Sequence, residues 1–376
     1  GDLNACIAAC YTGETRMNEL FDRYGTQVME ESAKEIFRQS EEIDRQAVQN
    51  IPDGVYEAEG CLDNDGQTEE PRLLKVKIVI QGDRMKIDLS GSAKMGKGPI
   101  NCGRAQTIAA CRVGYKQMIN PKSQVSGGTF QNLDVVVEEG TFLAAEEPAP
   151  CGWYFTGLGL LIDLIGKALS PVMIKEAAAA HYGDSSLIIF RGYDSVRKKQ
   201  FGICEATSGG WGAFYGGDGQ NCMINVVNGD LKNWSVEFIE DKFPLRLLSY
   251  SIRTDSQGPG KWNGGAGVIR TYRVETDGEC HLMLWIERTR TTAWGLFSGG
   301  NGKAPIAIVN PNTPDERRYL KTNTLSLKKG DIVQIQTGGG GGYGNPLQRD
   351  KKAVQEDIEN EYITEEYAKE FYGYEA

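Results

Sequence analysis

Residues Thr337–Asp350 read TGGGGGYGNPLQRD: five consecutive glycines that close on Tyr343, Gly344, Asn345 and Pro346. They follow Asp331–Gln336 (DIVQIQ), whose apolar alternation has the period of a strand. Glycine loses more conformational entropy on folding than any other residue, and in return lets another backbone or a ligand approach closely. The run is therefore either a flexible linker or a built loop against which other chain segments close. No serine or acidic residue interleaves the glycines, and the Asn345–Pro346 pair is turn chemistry; both features favour the loop. A phosphate-binding P-loop is excluded, because no Gly-Lys-Ser/Thr follows.

The 376 residues are long enough for two or three lobes around a sizeable core. A net charge of −10 argues against a nucleic-acid binder, which needs a basic surface. The most apolar segment, Gly152–Ser170, is too short and too charged to span a membrane. Asp163 and Lys167 within it form an i,i+4 pair, so a buried core helix is expected. Nine cysteines without a CxxC pair, and no leader-like opening, read as free thiols in a reducing cytoplasm. Cys6 and Cys10 can share one helix face, where a metal or redox site competes with plain burial. Only two histidines, His181 and His281, are present, too few for a self-contained histidine metal centre.

Along the chain, Met17, Leu20, Phe21 and Tyr24, then Met29, Ala33, Ile36, Phe37 and Ile43, recur at helical spacing. They predict a helical hairpin over 1–50, broken near Gly25, with Thr26 as N-cap. Residues 54–90 alternate as strands, with a turn at Gln81–Arg84. Asp63–Gly66 reads as a tight turn; its glycine is misplaced for a calcium loop. Gly91–Gly98 (GSAKMGKG) has the outline of a Walker A motif, but Gly98 and Pro99 stand where Ser/Thr and a helix should follow. A helix is expected over Arg104–Ile119, strand over Phe130–Ala145, a helix over Trp153–Ala168, and strands at Leu187–Phe190 and Gln200–Ala206.

A second glycine cluster, Glu205–Gly219 (EATSGGWGAFYGGDG), lies between the apolar runs Phe201–Cys204 and Met223–Val227 and reads as a long loop between strands. Its carboxylates, Glu205 and Asp218, are candidates for catalysis or for capping turns. Further on, Leu248, Tyr250 and Ile252 alternate, Gly258–Gly267 turns, and Val268–Val274 is a strand. Arg288 and Arg290, two apart in a strand-like stretch, would share a face. They would bind a substrate carboxylate or phosphate, or pair with Glu287 and a partner. Ile306–Val309 and Asp331–Gln336 are strands, and Lys351–Tyr372 is a charged helical tail.

Several of these stretches carry a resemblance. The opening GDLNACIAA with its TGETRMNEL helix, IDLSGS followed by GPIN, EATSGGWGA, the block from PLRLLSY to KWNGGAGVIRTY, WGLFSGG and GGGGGYGNPLQRD together resemble the hydantoinase B/oxoprolinase family. One departure is Asn221–Asp230 (NCMINVVNGD), where a histidine usual in that family is absent and Asn225 and Asn228 stand nearby.

The resemblance implies the C-terminal portion of a B-type subunit. The expected fold is α+β: an N-terminal helical hairpin (1–50), a mixed α/β middle (51–235), an antiparallel β-rich C-terminal lobe (236–349) and a helical tail (350–376). The implied activity is that of a non-autonomous subunit of an ATP-dependent hydantoinase, oxoprolinase or lactamase, or of an acetone/acetophenone-type carboxylase. A purely structural assembly subunit is the competing class. ATP with Mg and a divalent metal, Zn or Mn, are expected on partners. These are an ATP-binding A-type subunit of the sugar-kinase/actin-like kind and a chain carrying the N-terminal half of the B-type subunit. No metal ligand and no cofactor site is assigned to this chain. Glu205, Asp218, Arg288 and Arg290 are its candidate site residues.

Overall fold

The computed structural model describes residues 1–229 and 231–375. Asp230, the last residue of the departing Asn221–Asp230 stretch, lies outside the described residues. Two helices open the chain, α1 (Asp2–Tyr24) and α2 (Thr26–Gln49), joined at Gly25 with φ 80°. Gly25, not Thr26, is the N-cap, and no side chain caps the helix. Four strands follow as one sheet in sequential order: β1 (Gly54–Leu62), β2 (Arg72–Gln81), β3 (Arg84–Asp88) and, after α3 (Arg104–Met118), β4 (Leu133–Val136). The longer strand expected over Phe130–Ala145 contracts to β4, with turns on either side.

Next come α4 (Phe155–Leu169), β5 (Leu187–Asp194), β6 (Lys199–Glu205), α5 (Val236–Lys242), β7 (Leu245–Ile252), β8 (Val268–Val274) and β9 (Cys280–Trp285). The chain continues through β10 (Ile306–Val309), β11 (Arg317–Tyr319), β12 (Lys321–Leu327) and β13 (Ile332–Gln336), and ends in α6 (Lys351–Glu359) and α7 (Glu365–Tyr372). The tail is thus two helices, not one. Glu361 at φ 58° breaks it, and Thr364 caps α7 by accepting from the Tyr367 N–H. No helix among the described residues is long and apolar enough to cross a membrane.

The chain divides into two compact units. The first is Gly1–Gly54, Ile80–Lys86 and Ile119–Asp134. Here α1 has no buried residue, and Leu3, Cys6, Ile7 and Cys10 are exposed. The C-terminal half of α2 is anchored: Asn120 donates to the Ile43 carbonyl at 3.2 Å, and Phe37 lies so close to Gly128 that a Cβ there would meet the Phe37 carbonyl oxygen.

The second unit is Val55–Val79, Ile87–Met118 and Val135–Ala376. One core of this unit lies between two antiparallel sheets, ordered β11-β10-β13-β8-β7 and β12-β9-β5-β6. Inward residues such as Phe190, Ile203, Leu282 and Leu284 of one sheet meet Tyr272, Val309, Val333 and Ile335 of the other. This is a β-sandwich, built by period-2 alternation that faces one set of side chains inward. At the edge of the first sheet, a register shift between Leu247 and Ser249 of β7 breaks that alternation. Leu248 and Tyr250 stay exposed, so the apolar parity read from the sequence does not mark the buried face. Met223–Val227 is not a strand; Met223 makes only an isolated bridge to Gly209.

The glycine run is a built loop. Gly340 donates to the Gly265 carbonyl and accepts from Gly258. Gly341 donates to Ala180 and accepts from Ala213, and Gly342 donates to Gly300 and accepts from Leu296. Tyr343 returns to the first neighbour, pairing in both directions with Trp262. The pattern repeats every three residues, the turn of a polyproline II helix. Neighbouring segments therefore surround the run on three sides, and a side chain on any of its last four glycines would collide with backbone. A Cβ on Gly339, Gly340, Gly341 or Gly342 would lie 1.8–2.2 Å from a carbonyl oxygen. The glycine clusters at 209–219, 258–267 and 295–302 are the surrounding segments. Four features scattered through the sequence thus form one object.

Candidate functional site

That glycine bundle holds a histidine. The strap Ala179–Tyr182 is one of its surrounding segments: Ala179 donates to Ala213, Ala180 to Trp294 and Tyr182 to Gly210, each at 2.8–3.0 Å. His181, between them, is 4% exposed. Its Nδ1 lies 2.8 Å from Asp163 Oδ1, and its Nε2 lies 3.2 Å from Asn225 Oδ1. Asn225 Oδ1 also accepts from the Val227 N–H at 3.1 Å, which orients the amide with oxygen toward the ring. Both ring nitrogens therefore face acceptor oxygens, an arrangement suited to a ring with hydrogen on each.

Asp163 is supplied by α4, a helix apolar almost all round and therefore buried. The predicted Asp163–Lys167 pairing does not form. Asp163 instead faces His181 and Arg288, whose Nη2 donates to Oδ2 at 2.5 Å, and Lys167 Nζ sits 4.5 Å over the Trp294 ring. Burial and the Arg288 charge pull the Lys167 amine below its ordinary range.

Arg288 lies beyond the end of β9, at φ 73°, a backbone region costly for a non-glycine residue and concentrated at functional sites. This turn separates the two arginines that were expected to share a strand face: Arg288 is buried and Arg290 is exposed. Arg288 also donates to the His181 carbonyl at 3.1 Å and stacks 4.9 Å from the Trp294 ring, while its Nε and Nη1 have no hydrogen-bond partner. Gly183, at φ 66°, makes room for it, since a Cβ there would meet Arg288 Nε at 2.3 Å. The pairing of Arg288 with Glu287 is also absent; Glu287 is bound by Lys321.

A cavity of about 180 Å³ opens over this cluster, with Asp163, His181 and Trp211 in its wall, Met118 and Ile162 at its apolar side and Glu176 at its rim. Of the other candidates, Glu205 is buried and accepts from Arg270 and the Tyr272 hydroxyl, both at 2.6 Å. Asp218 takes both terminal nitrogens of Arg349 at 2.8 Å and the Asn263 N–H. Arg290 offers its backbone N–H to Asp63. None of these three lines the cavity; only Arg288 reaches its edge, through Asp163. Sequence reasoning misses His181, Asp163 and Asn225 as site residues. The scarcity of histidine is the signal that could have singled out His181.

The donors of the Walker-like GSAKMGKG stretch are engaged elsewhere. The Lys97 and Gly98 N–H groups point at Asp65 Oδ2, and a Cβ on Gly98 would overlap the Asp65 carbonyl. The residues there do not fit a nucleotide phosphate. Among the described residues, no three His, Cys, Asp or Glu side chains gather as a metal-holding set. No step through a metal or nucleotide is therefore assigned to this chain.

Beneath the strap, Asp184 accepts from the N–H groups of Ser185 and Glu287, and burial pushes its carboxyl from 3.8 up to about 6. The folded state then holds a proton that the unfolded state has released. Stability is expected to fall as pH rises from about 4 through about 6. Asp184→Asn, which cannot ionise, should gain on the parent between pH 4.5 and pH 7 in urea midpoints. A difference that stays constant with pH would contradict the burial argument.

A family model described as hydantoinase B/oxoprolinase matches residues 1–346. The B-type subunit of a putative D-/L-hydantoinase from Pseudomonas sp. (strain NS671) is 29% identical, the match covering 99% of this chain and 64% of that protein. The chain thus spans under two thirds of that relative's length. Among solved structures, the ATP-dependent caprolactamase from Pseudomonas jessenii aligns with a TM-score of 0.89 at 24% identity, over 99% of this chain and 66% of that one. The nucleotide-free structure of acetone carboxylase aligns at 0.83 and 19%, over 98% of this chain and 55% of that one. At these identities the structural likeness speaks for the fold. The family model, covering all but the last 30 residues and taking in every glycine segment of the bundle, shows that this chain belongs to the hydantoinase B/oxoprolinase family.

Proposed function

We propose that this chain is part of an ATP-dependent enzyme that opens cyclic amides, and that the Asp163–His181 pair supplies the proton the reaction needs. The observation that carries this reading is the buried, doubly engaged His181 on the wall of a cavity open to solvent. An unstrained cyclic amide is a poor electrophile, so its oxygen must first be activated. That task falls to an ATP-binding A-type subunit with Mg, while a segment equivalent to the N-terminal half of a B-type subunit carries the divalent metal, Zn or Mn. The exposed face of α1, with Leu3 and Ile7, is offered as a surface such a segment would cover. The setting is cytoplasmic, in keeping with nine free thiols.

In the hydrolysis, water oxygen bonds to the carbonyl carbon and releases a proton to solvent, the carbon–nitrogen bond breaks with its electron pair passing to nitrogen, and the departing nitrogen takes a proton. His181 Nε2–H is placed to give that proton once Asn225 Oδ1 yields it. Asp163 holds the ring by accepting from Nδ1–H, and Arg288 holds Asp163. General acid catalysis of this kind is worth about 10²–10⁴-fold.

The test is the assembled native complex with ATP, with and without bicarbonate, scored for ring-opened product. Turnover is expected without bicarbonate, and His181→Gln should lower kcat by about 10²-fold or more while the complex still assembles. A strict need for bicarbonate would assign the complex to ketone carboxylation. Full activity in His181→Gln would remove His181 from the chemistry and favour the scaffold class.

A further inference from the structure

The cavity's own hydrogen-bonding capacity restricts what it can hold. No lysine or arginine is among its lining residues. The nearest guanidinium, Arg288, is fixed in position: Nη2 serves Asp163 and the His181 carbonyl, its face lies on Trp294, and its unpartnered Nε and Nη1 are buried outside the cavity lining. Lys167 and Lys175 rest over the rings of Trp294 and Tyr215. The side-chain donors of the wall are also committed. His181 directs its nitrogens to Asp163 and Asn225, and Trp211 Nε1 donates to the Ile224 carbonyl at 2.8 Å. Among the lining side chains what remains is one amide donor, Gln117, against the spare lone pairs of two carboxylates, Asp163 and Glu176; the unpartnered Asn225 Nδ2 is buried outside that lining. The wall is rich in acceptors and poor in donors.

We propose that this cavity selects an uncharged cyclic amide and rejects one that carries a carboxylate. The inference rests on the cyclic-amide reading above and names the substrate class within it. A ring N–H finds an acceptor at Asp163 or Glu176, the ring carbonyl finds Gln117, and the methylenes lie against Met118, Ile162 and Trp211. A carboxylate has acceptors only. It would meet Glu176 at the rim, with no unengaged cation in the wall to pair with. Desolvating a charged group without a partner is the costliest mismatch a site can impose. Size agrees: at about 30 Å³ per water, 180 Å³ holds about six waters, the room of a five- to seven-membered ring.

2-Pyrrolidone and 5-oxoproline are a matched pair, the same five-membered lactam without and with a carboxylate. Their binding to the full chain at pH 7 can be read by ligand-observed NMR without turnover. The expected result is at least about tenfold preference for 2-pyrrolidone, equivalent to about 1.4 kcal/mol. Ala178 and Glu176 are exposed at the mouth, so substitutions there spare the fold. Ala178→Trp should abolish 2-pyrrolidone binding by filling the entrance. Glu176→Lys should raise 5-oxoproline affinity about tenfold or more and erase the preference.

Equal or tighter binding of 5-oxoproline to the parent chain overturns the inference, as does 2-pyrrolidone binding that Ala178→Trp leaves intact or no binding of either lactam. The cyclic-amide reading fails separately, if the assembled complex opens neither ring with ATP. A complex that opens 5-oxoproline in preference leaves that reading standing and removes only the selectivity proposed here.

Discussion

Gly340→Val is expected to cost more than about 3 kcal/mol and to lower the melting temperature by at least about 6 °C. A Cβ at this position would stand 2.0 Å from the Trp211 carbonyl oxygen and 2.2 Å from its carbon. The obstacle is backbone, not the movable end of a side chain, so relief requires the bundle to open. Opening it breaks the pairs that Gly340 makes with Gly258 and Gly265 and displaces Trp211, a wall of the cavity. Activity should fall with stability. Gly202→Ala is the control: a Cβ at Gly202, on β6, meets nothing within 4 Å. It should change stability by no more than about 0.5 kcal/mol. If thermal melts of the two variants coincide, the glycine run is a linker after all.

The second large effect belongs to Asp163. Its carboxylate is the partner of both His181 and Arg288. Asp163→Ala would leave Arg288 buried with its Nε and Nη1 already unpartnered and its one ion pair gone. Breaking a buried pair from one side typically costs about 3–5 kcal/mol. The double variant Asp163→Ala, Arg288→Met removes the stranded charge together with the carboxylate, so it should be more stable than Asp163→Ala alone. That ordering, read from urea midpoints, separates ion pairing from simple loss of packing. A double variant less stable than either single would mean that Arg288 has another source of support.

Which parts of this architecture were legible beforehand follows from how far each interaction reaches along the chain. The β2–β3 turn, α3, α4 and the sandwich strands β5, β6, β7, β8, β10 and β13 were readable because period and turn chemistry are properties of adjacent residues, whereas the polar β11 and β12 drew no reading. The bulge in β7 was not, because a register shift depends on the strand beside it. The expected strand face shared by Arg288 and Arg290 failed for a related reason. Alternation assumes extended backbone, and Arg288, which contacts Asp163 and the strap, has a positive φ instead.

The glycine run could be recognised as a built loop, Glu205–Gly219 as a long loop and Gly258–Gly267 as turns, and their motifs resembled the family, because a glycine that admits another backbone is visible in the sequence as a glycine. What they admit is not. That the runs at 209–219, 258–267, 295–302 and 338–342 close on one another, and that in closing they fix the strap bearing His181, is decided by hydrogen bonds between segments tens of residues apart. Asp163 and Arg288 stand 125 positions from each other, and His181 and Asn225 stand 44 apart. No local pattern encodes such meetings. A buried charge is sustained only by the partner the fold delivers, so the sequence determined which segments could pack without side chains, and the tertiary structure alone decided which carboxylate, imidazole and guanidinium would face one another.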